Sequence, residues 1–304
     1  MKIAVLGTGM VGRTIAGALA GLGHDVVIGT RDPQATLART EPDMMGTAPF
    51  AEWHAANAGV DVAAFADAAS GAELIVNATN GAGSLAALAA AGTPNLAGKI
   101  IMDIANPLDF SQGMPPSLNP VNTDSLGEEI QRSFPEAKVV KTLNTMTASV
   151  MVDPARVAGG DHTVFVSGDD AGAKAAVTEL LKGFGHRDVI DLGDITSARG
   201  AEMILPIWLR IWGALGTGEF NFKIARYHLH PPSPQLVPLW ELRTAPAVNW
   251  LGSRGKGVGA ARRRLTLSET EFQQGVPAGN IPWEEVIGLT VSSAVYEPSR
   301  TLER

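Results

Sequence analysis

Apolar and polar positions follow two different periods along this chain. Residues 2–6 (KIAVL) form a short unbroken apolar run, the pattern of a strand buried on both faces. A glycine turn follows, and then Val11, Ile15, Ala18, Leu19 and Leu22 recur at helical spacing until Gly23 stops the pattern. Residues 25–28 predict a second strand, and the Ala-rich stretch 34–69 predicts one or two helices. ELIVNAT (73–79) and KIIMDIAN (99–106) predict a third and a fourth strand, with a helix (SLAALAAAG) between them. A proline-rich loop, 107–123, lies where α/β folds place their ligands. Beyond it, the helix SLGEEIQRSF leads to strands at 138–144, 162–169 and 187–194, the last two joined by the helix AGAKAAVTELLKGFG. Strands alternating with helices predict an α/β fold built on a doubly wound, mostly parallel sheet.

A mostly helical segment carries this domain to residue 226. Within it, MILPIWLRIWGALG (203–216) is too short to span a bilayer and contains Arg210, so it predicts a buried or interfacial helix and a candidate homodimer seam. From residue 227 the character changes. HPPSPQLVP and ARRRL break the strand and helix periods, and Trp240, Trp250 and Trp283 gather there. The expected organisation is therefore a domain over 1–226 and a small, helical or irregular C-terminal extension, poorly ordered, over 227–304.

Composition narrows the function. A net charge of -7 over 304 residues argues against nucleic acid as a partner. The absence of cysteine excludes a disulfide framework, a thiolate nucleophile and a Cys-ligated metal. Lys2 and the apolar residues after it are interrupted by Gly7, Gly9 and Gly12, so they fit a strand and turn better than a signal peptide. A cytoplasmic protein without a membrane partner is the expectation.

Gly7, Gly9 and Gly12 spell G-x-G-x-x-G directly after a strand and at the start of a helix, the context a dinucleotide-binding turn requires. Gly7 permits the tight turn, Gly9 lets the backbone approach a pyrophosphate, and Gly12 lets the helix pack close to the strand. The helix start supplies N–H donors and a positive dipole end. The plainer alternative is a structural glycine turn. Where a site for NAD carries an acid after the second strand, this chain carries Thr30 and Arg31. A guanidinium there can pair with the 2′-phosphate of NADP(H). The alternatives are a solvated arginine, or an Arg31 neutralised by Asp32, which could also simply begin the next turn. Asn77, Thr79 and Asn106 stand at the ends of the third and fourth strands, where they suit ribose and carboxamide contacts or act as caps and turns. The six histidines show no metal-ligand spacing, and no metal site is expected.

Taken together, GTGMVG, GHDVVIGTRDP, VVKTLNTM (139–146), VSGDD (166–170) and DLGDITSARGAE (191–202) resemble the NADPH-dependent F420 reductase family, whose dinucleotide domain is shared with pyrroline-5-carboxylate reductases. The resemblance covers residues 1–226. It implies a Rossmann-type fold and hydride transfer between NADP(H) and coenzyme F420, an 8-hydroxy-5-deazaflavin, or a flavin-like acceptor. Its implied cofactor residues are Thr8, Gly9, Met10, Val11, Thr30 and Arg31, with Asn77, Thr79 and Asn106 lining the dinucleotide. Its implied acceptor side is Asn144, Thr145, Met146 and the ITSAR segment, with Asn144 and Thr196 as catalytic candidates. Two departures fall on that side: archaeal members tend to carry His in place of Asn144, and a hydroxyl in place of Ala198. Such chemistry needs two rings brought together in a dry, oriented site, and neither a nucleophile nor a metal. Other readings on the same fold are a reductase of a small C=N or C=O substrate and a non-catalytic NADP(H) sensor.

Overall fold

In a computed structural model, residues 1–42 and 47–226 are described. The expected extension over 227–304 lies outside them. The strands are β1 (Lys2–Leu6), β2 (Asp25–Thr30), β3 (Asp61–Ala64), β4 (Leu74–Asn77), β5 (Ile100–Asp103), β6 (Leu108–Asp109), β7 (Ser117–Leu118), β8 (Lys138–Thr142), β9 (Thr163–Ser167) and β10 (Asp188–Asp191). The helices are α1 (Met10–Gly21), α2 (Pro33–Leu37), α3 (Phe50–Ala56), α4 (Phe65–Gly71), α5 (Gly81–Ala91), α6 (Thr93–Leu96), α7 (Leu126–Ser133), α8 (Ala148–Val152), α9 (Ala171–Phe184), α10 (Ala198–Met203) and α11 (Leu205–Leu215).

Eight strands form one sheet in the order β10-β9-β8-β5-β4-β1-β2-β3. Alternate residues of each strand face opposite helix layers. Ile3 and Val5 of β1 belong to one core cluster with Ile15 and Leu19 of α1 and Val177 and Leu181 of α9. Ala4 and Leu6 pack on the other side with Ala68 and Ala69 of α4, Leu88 of α5 and Ile130 of α7. Both faces are covered, which is why the central strands read as continuous apolar runs. The chain winds outward from β1 in both directions, so the switch point lies between β1 and β4. There the turns after Leu6 and Asn77 meet, and a side chain at Gly7 would lie 2.4 Å from the Ala78 carbonyl.

The doubly wound α/β sheet is as expected, with four differences. β3 falls in the Ala-rich stretch expected to be helical; its pairing with Val27–Thr30 of β2 overrides the helix preference of alanine. β8 and β9 run antiparallel, with Lys141 opposite Ser167 and Thr142 opposite Val166. β9, and β10 parallel to it, therefore begin at the edge where the other six strands of the sheet end. The proline-rich loop contains a small antiparallel pair, β6–β7. Finally, α11 is neither buried nor continued to 226. Only Leu205 is buried in it, while Ile207 and Leu215 are 52% and 59% exposed. Among the described residues no helix is long and apolar enough to cross a membrane.

Residues 217–226 are non-helical and run back over the start of β9. The Thr163 N–H donates to the Phe222 carbonyl (2.9 Å), and the Ile224 N–H to Thr163 Oγ1 (3.0 Å). Asn221 Nδ2 donates to His162 Nδ1 (2.7 Å), while His162 Nε2 donates to the Pro154 carbonyl (3.0 Å). His186 packs edge-on against His162, with ring centroids 5.8 Å apart. Its Nε2 donates to the Met151 carbonyl at 2.9 Å, while its buried Nδ1 meets no partner.

Burial and, secondarily, the neighbouring His162 hold the His186 pKa below the ordinary histidine value of 6.5. The unfolded chain therefore takes up a proton at His186 that the folded chain refuses, and stability contributed there is full above pH 6.5 and declines below it. Melting temperatures taken from pH 8 down to pH 5 are expected to fall most below pH ~6.5, and His186→Gln should flatten that fall. Gly12 gives a second test, because a Cβ there would stand 2.2 Å from the Gly7 carbonyl. Gly12→Ala is expected to cost roughly 1–3 kcal/mol of unfolding free energy in a urea titration.

Candidate functional site: a dinucleotide cleft at the switch point

At the C-terminal ends of β1, β2 and β4 lies a cavity of about 890 Å³. The glycine turn forms one wall through Gly7, Thr8 and Gly9, the end of β2 another through Thr30 and Arg31, and Thr79, Asn80 and α5 a third. α1 begins at Gly9, whose backbone is extended, with no side chain capping the helix and no acid in its first turn. Its leading N–H groups and positive dipole end are thus left for an anion. A Cβ built on Gly9 would have nothing of the protein within 4 Å, whereas one on Gly7 or Gly12 would collide with backbone. Gly7 and Gly12 are glycine for the fold, and Gly9 for what approaches from the cavity. This is the cradle a pyrophosphate needs, and the residues present fit a dinucleotide.

Thr30 ends β2 rather than following it. It is buried, and its hydroxyl pairs with that of Thr36 at 2.8 Å. Arg31 is exposed on the cavity wall. Asp32 caps α2 by accepting from the Ala35 N–H at 2.9 Å, so it does begin the next turn. Met10 is exposed at the helix start, Val11 half-buried and Gly12 buried; none of the three lines the cavity.

Asn77 lies beneath the cavity and does not line it. It is fully buried, and Nδ2 donates to Asp103 Oδ1 (2.8 Å) and Ser84 Oγ (3.1 Å). Its Oδ1 accepts from the Thr79 hydroxyl at 2.7 Å. Direct contact between Asn77 and a dinucleotide thus gives way to a supporting role: Asn77 aims Thr79, which does line the cavity. Asp103 is held by Lys141 Nζ at 2.7 Å, and the same ammonium reaches Glu202 at 2.8 Å and the Ala105 carbonyl. Burial alone would push the Lys141 pKa down, but Asp103 and Glu202 outweigh it and raise it above the ordinary lysine value. Glu202 also accepts from the Leu126 and Gly127 N–H groups (2.9 and 3.1 Å), anchoring the N-terminus of α7.

The acceptor side expected at 144–146 lies past the end of β8, on the same sheet edge as the glycine turn. Asn144 is buried, and Nδ2 donates to Asn106 Oδ1 and the Ala201 carbonyl, both at 3.1 Å. Asn106 Nδ2 returns a bond to the Asn144 carbonyl at 2.9 Å. The structure brings Asn106 and Asn144 together as a brace between β5, β8 and α10. Both hydrogens of the Asn144 amide are committed to this brace. Thr196 departs from expectation altogether. Its short 3₁₀ turn, Ile195–Ser197, is tied to Asp169, beyond the end of β9. Because β9 is reversed, that end lies by the start of β8, where Lys138 pairs with Asp170, at the sheet edge away from the glycine turn. The Thr196 hydroxyl donates to Asp194.

Sequence reasoning missed Lys141, Asp103, Glu202 and Ser84, and also Arg39, which lines the cavity. A lysine within the apolar run KVVKTL was a signal, because a buried lysine demands acids around it. Nothing in the pattern marks Arg39.

Residues 2–107 match the family model described as NADP oxidoreductase, coenzyme F420-dependent. A crystal structure from Arthrobacter sp. FB24, of a candidate F420-dependent NADP-reductase, is 74% identical, with a TM-score of 0.72 over 74% of this chain and 100% of that one. The metalloreductase STEAP3 of Rattus norvegicus is 30% identical over 211 residues, which are 68% of this chain and 38% of that protein. The chain thus spans well under half the length of this mammalian relative. With its switch-point cleft and open helix start, the chain belongs to the coenzyme F420-dependent NADP oxidoreductase family and is an NADP-dependent oxidoreductase.

Proposed function

We propose that this protein transfers a hydride between NADP(H) and coenzyme F420 or a flavin-like acceptor. The observation that carries the reading is its 74% identity to a candidate F420-dependent NADP-reductase over the whole of that chain. Gly9 and the start of α1 hold the pyrophosphate, and Arg31 faces the 2′-phosphate. Thr79, aimed by Asn77, serves the ribose side. The nicotinamide, when bound, supplies or accepts the hydride. The braced pair Asn106–Asn144 keeps the ends of β5 and β8 fixed and would give the reacting rings a rigid wall. Thr145 and Met146, both buried at the same strand end, shape that wall.

Mixing the purified protein with NADPH and F420 and following deazaflavin absorbance tests the reading; turnover is expected. Turnover with free flavin but none with F420 would reassign the acceptor. Tight NADPH binding without turnover on either would favour a sensor. Arg31→Ala is expected to weaken NADPH on the order of tenfold or more while leaving NADH little changed. Gly9→Ala should abolish NADPH binding at a stability cost of no more than about 1 kcal/mol, since its methyl meets no protein atom.

We also infer that the working form is a homodimer paired through the apolar face of α11, where Ile207, Trp212 and Leu215 are exposed. Leu215→Glu is expected to shift the mass measured by light scattering from dimer to monomer. A monomeric wild type would end this reading.

A further inference from the structure

The cleft holds a second guanidinium that the function above does not use. Arg39 lines the same cavity as Arg31. It is exposed, as a ligand-facing cation must be, yet its position is specified from two sides. Nη2 donates to the Thr8 hydroxyl at 2.7 Å, and the guanidinium lies 5.5 Å from the centroid of the Phe50 ring. The contact with Thr8 joins the segment after α2 to the glycine turn, so this cation stands beside the turn, on a cavity whose lining also includes Arg31. One donor goes to Thr8, and most of the five N–H donors of a guanidinium remain for a ligand.

The charge balance of the cleft points the same way. Its lining holds Arg31, Arg39 and one carboxylate, Asp32. Asp32 accepts from Ala35 at the start of α2 and, as a single carboxylate, offsets only one of the two cations, so the wall stays net positive. A phosphate monoester carries close to two negative charges at neutral pH, and a guanidinium matches its oxygens with forked, charge-assisted bonds. A planar cation already held on one aromatic ring loses little freedom when it engages an anion, which strengthens the discrimination it can provide.

We propose that Arg39 is a second specificity-determining residue for the 2′-phosphorylated adenosine half of the cofactor, acting with Arg31 as a two-arginine clamp that Thr8 and Phe50 hold in place. The inference rests on the cavity being the dinucleotide site. It predicts that selection of NADP(H) over NAD(H) is divided between the two arginines, and that neither alone accounts for it.

The test is direct binding of 2′,5′-ADP and 5′-ADP to the full chain by calorimetry. Wild type is compared with Arg39→Ala, Arg39→Lys and Arg31→Ala. Arg39→Ala is expected to weaken 2′,5′-ADP on the order of tenfold while changing 5′-ADP less than about twofold. Arg39→Lys, which keeps the charge and loses the fork, should recover part of the loss. Equal losses on both nucleotides would overturn the proposal and leave Arg39 a general structural support. Unchanged discrimination in Arg39→Ala, with discrimination lost in Arg31→Ala, would overturn it while sparing the site. If neither arginine alters the ratio, the placement of the 2′-phosphate fails as a whole.

Discussion

A buried lysine holds the working edge of this sheet together. Lys141 sits on β8 with Asp103 of β5 on one side and Glu202 of α10 on the other. None of the three tolerates burial alone, since a buried charge without its partner costs several kcal/mol or more. Their pairing therefore dictates neighbours. β8 must lie beside β5, and α10 must pack where Glu202 can reach both the ammonium and the leading N–H groups of α7. From Asp103 the constraint passes through Asn77 to Thr79 at the cavity wall. The orientation of a hydroxyl in the cofactor cleft is thus tied to a charge cluster inside the core.

That dependence explains what could be read from the chain and what could not. The glycine turn was legible because its three glycines act locally: one close approach to Ala78, one helix-to-strand contact, one open cradle. The strand and helix order was legible because a sheet covered on both faces leaves unbroken apolar runs. β3 was not, since four residues rich in alanine become a strand only by pairing with β2. Asn77 and Asn144 were placed at the correct strand ends, but whether an amide points into a cleft or into the core depends on partners many residues away. Thr196 was misplaced for a topological reason: the reversal of β9 moves its turn to the other edge of the sheet, and no local pattern records the direction of a strand.

Cofactor selection has a division of labour visible in the burial of the groups concerned. The hydroxyl of Thr30 is satisfied internally by Thr36, and the carboxylate of Asp32 by a helix start. The Thr30 hydroxyl and one oxygen of Asp32 are thereby engaged. What faces the cavity from this strand end is the guanidinium of Arg31, on an exposed position whose identity the fold itself does not require. On the proposed function, selectivity for the phosphorylated dinucleotide would in this sense be a surface property of the cleft.

The reversed strand β9 has one more effect. Because it begins at the edge where β8 ends, residues 217–226, which bond to Thr163 and His162, are drawn to that edge. Asn221 comes within 3.9 Å of the Met146 sulfur, and a Cβ built on Gly218 would lie 3.3 Å from the Thr147 side chain. For anyone engineering this protein, residues 217–226 belong to the packing around the end of β8 and the start of β9: trimming back to the end of α11, or splicing a fusion partner there, would remove the bonds these residues make to Thr163 and His162.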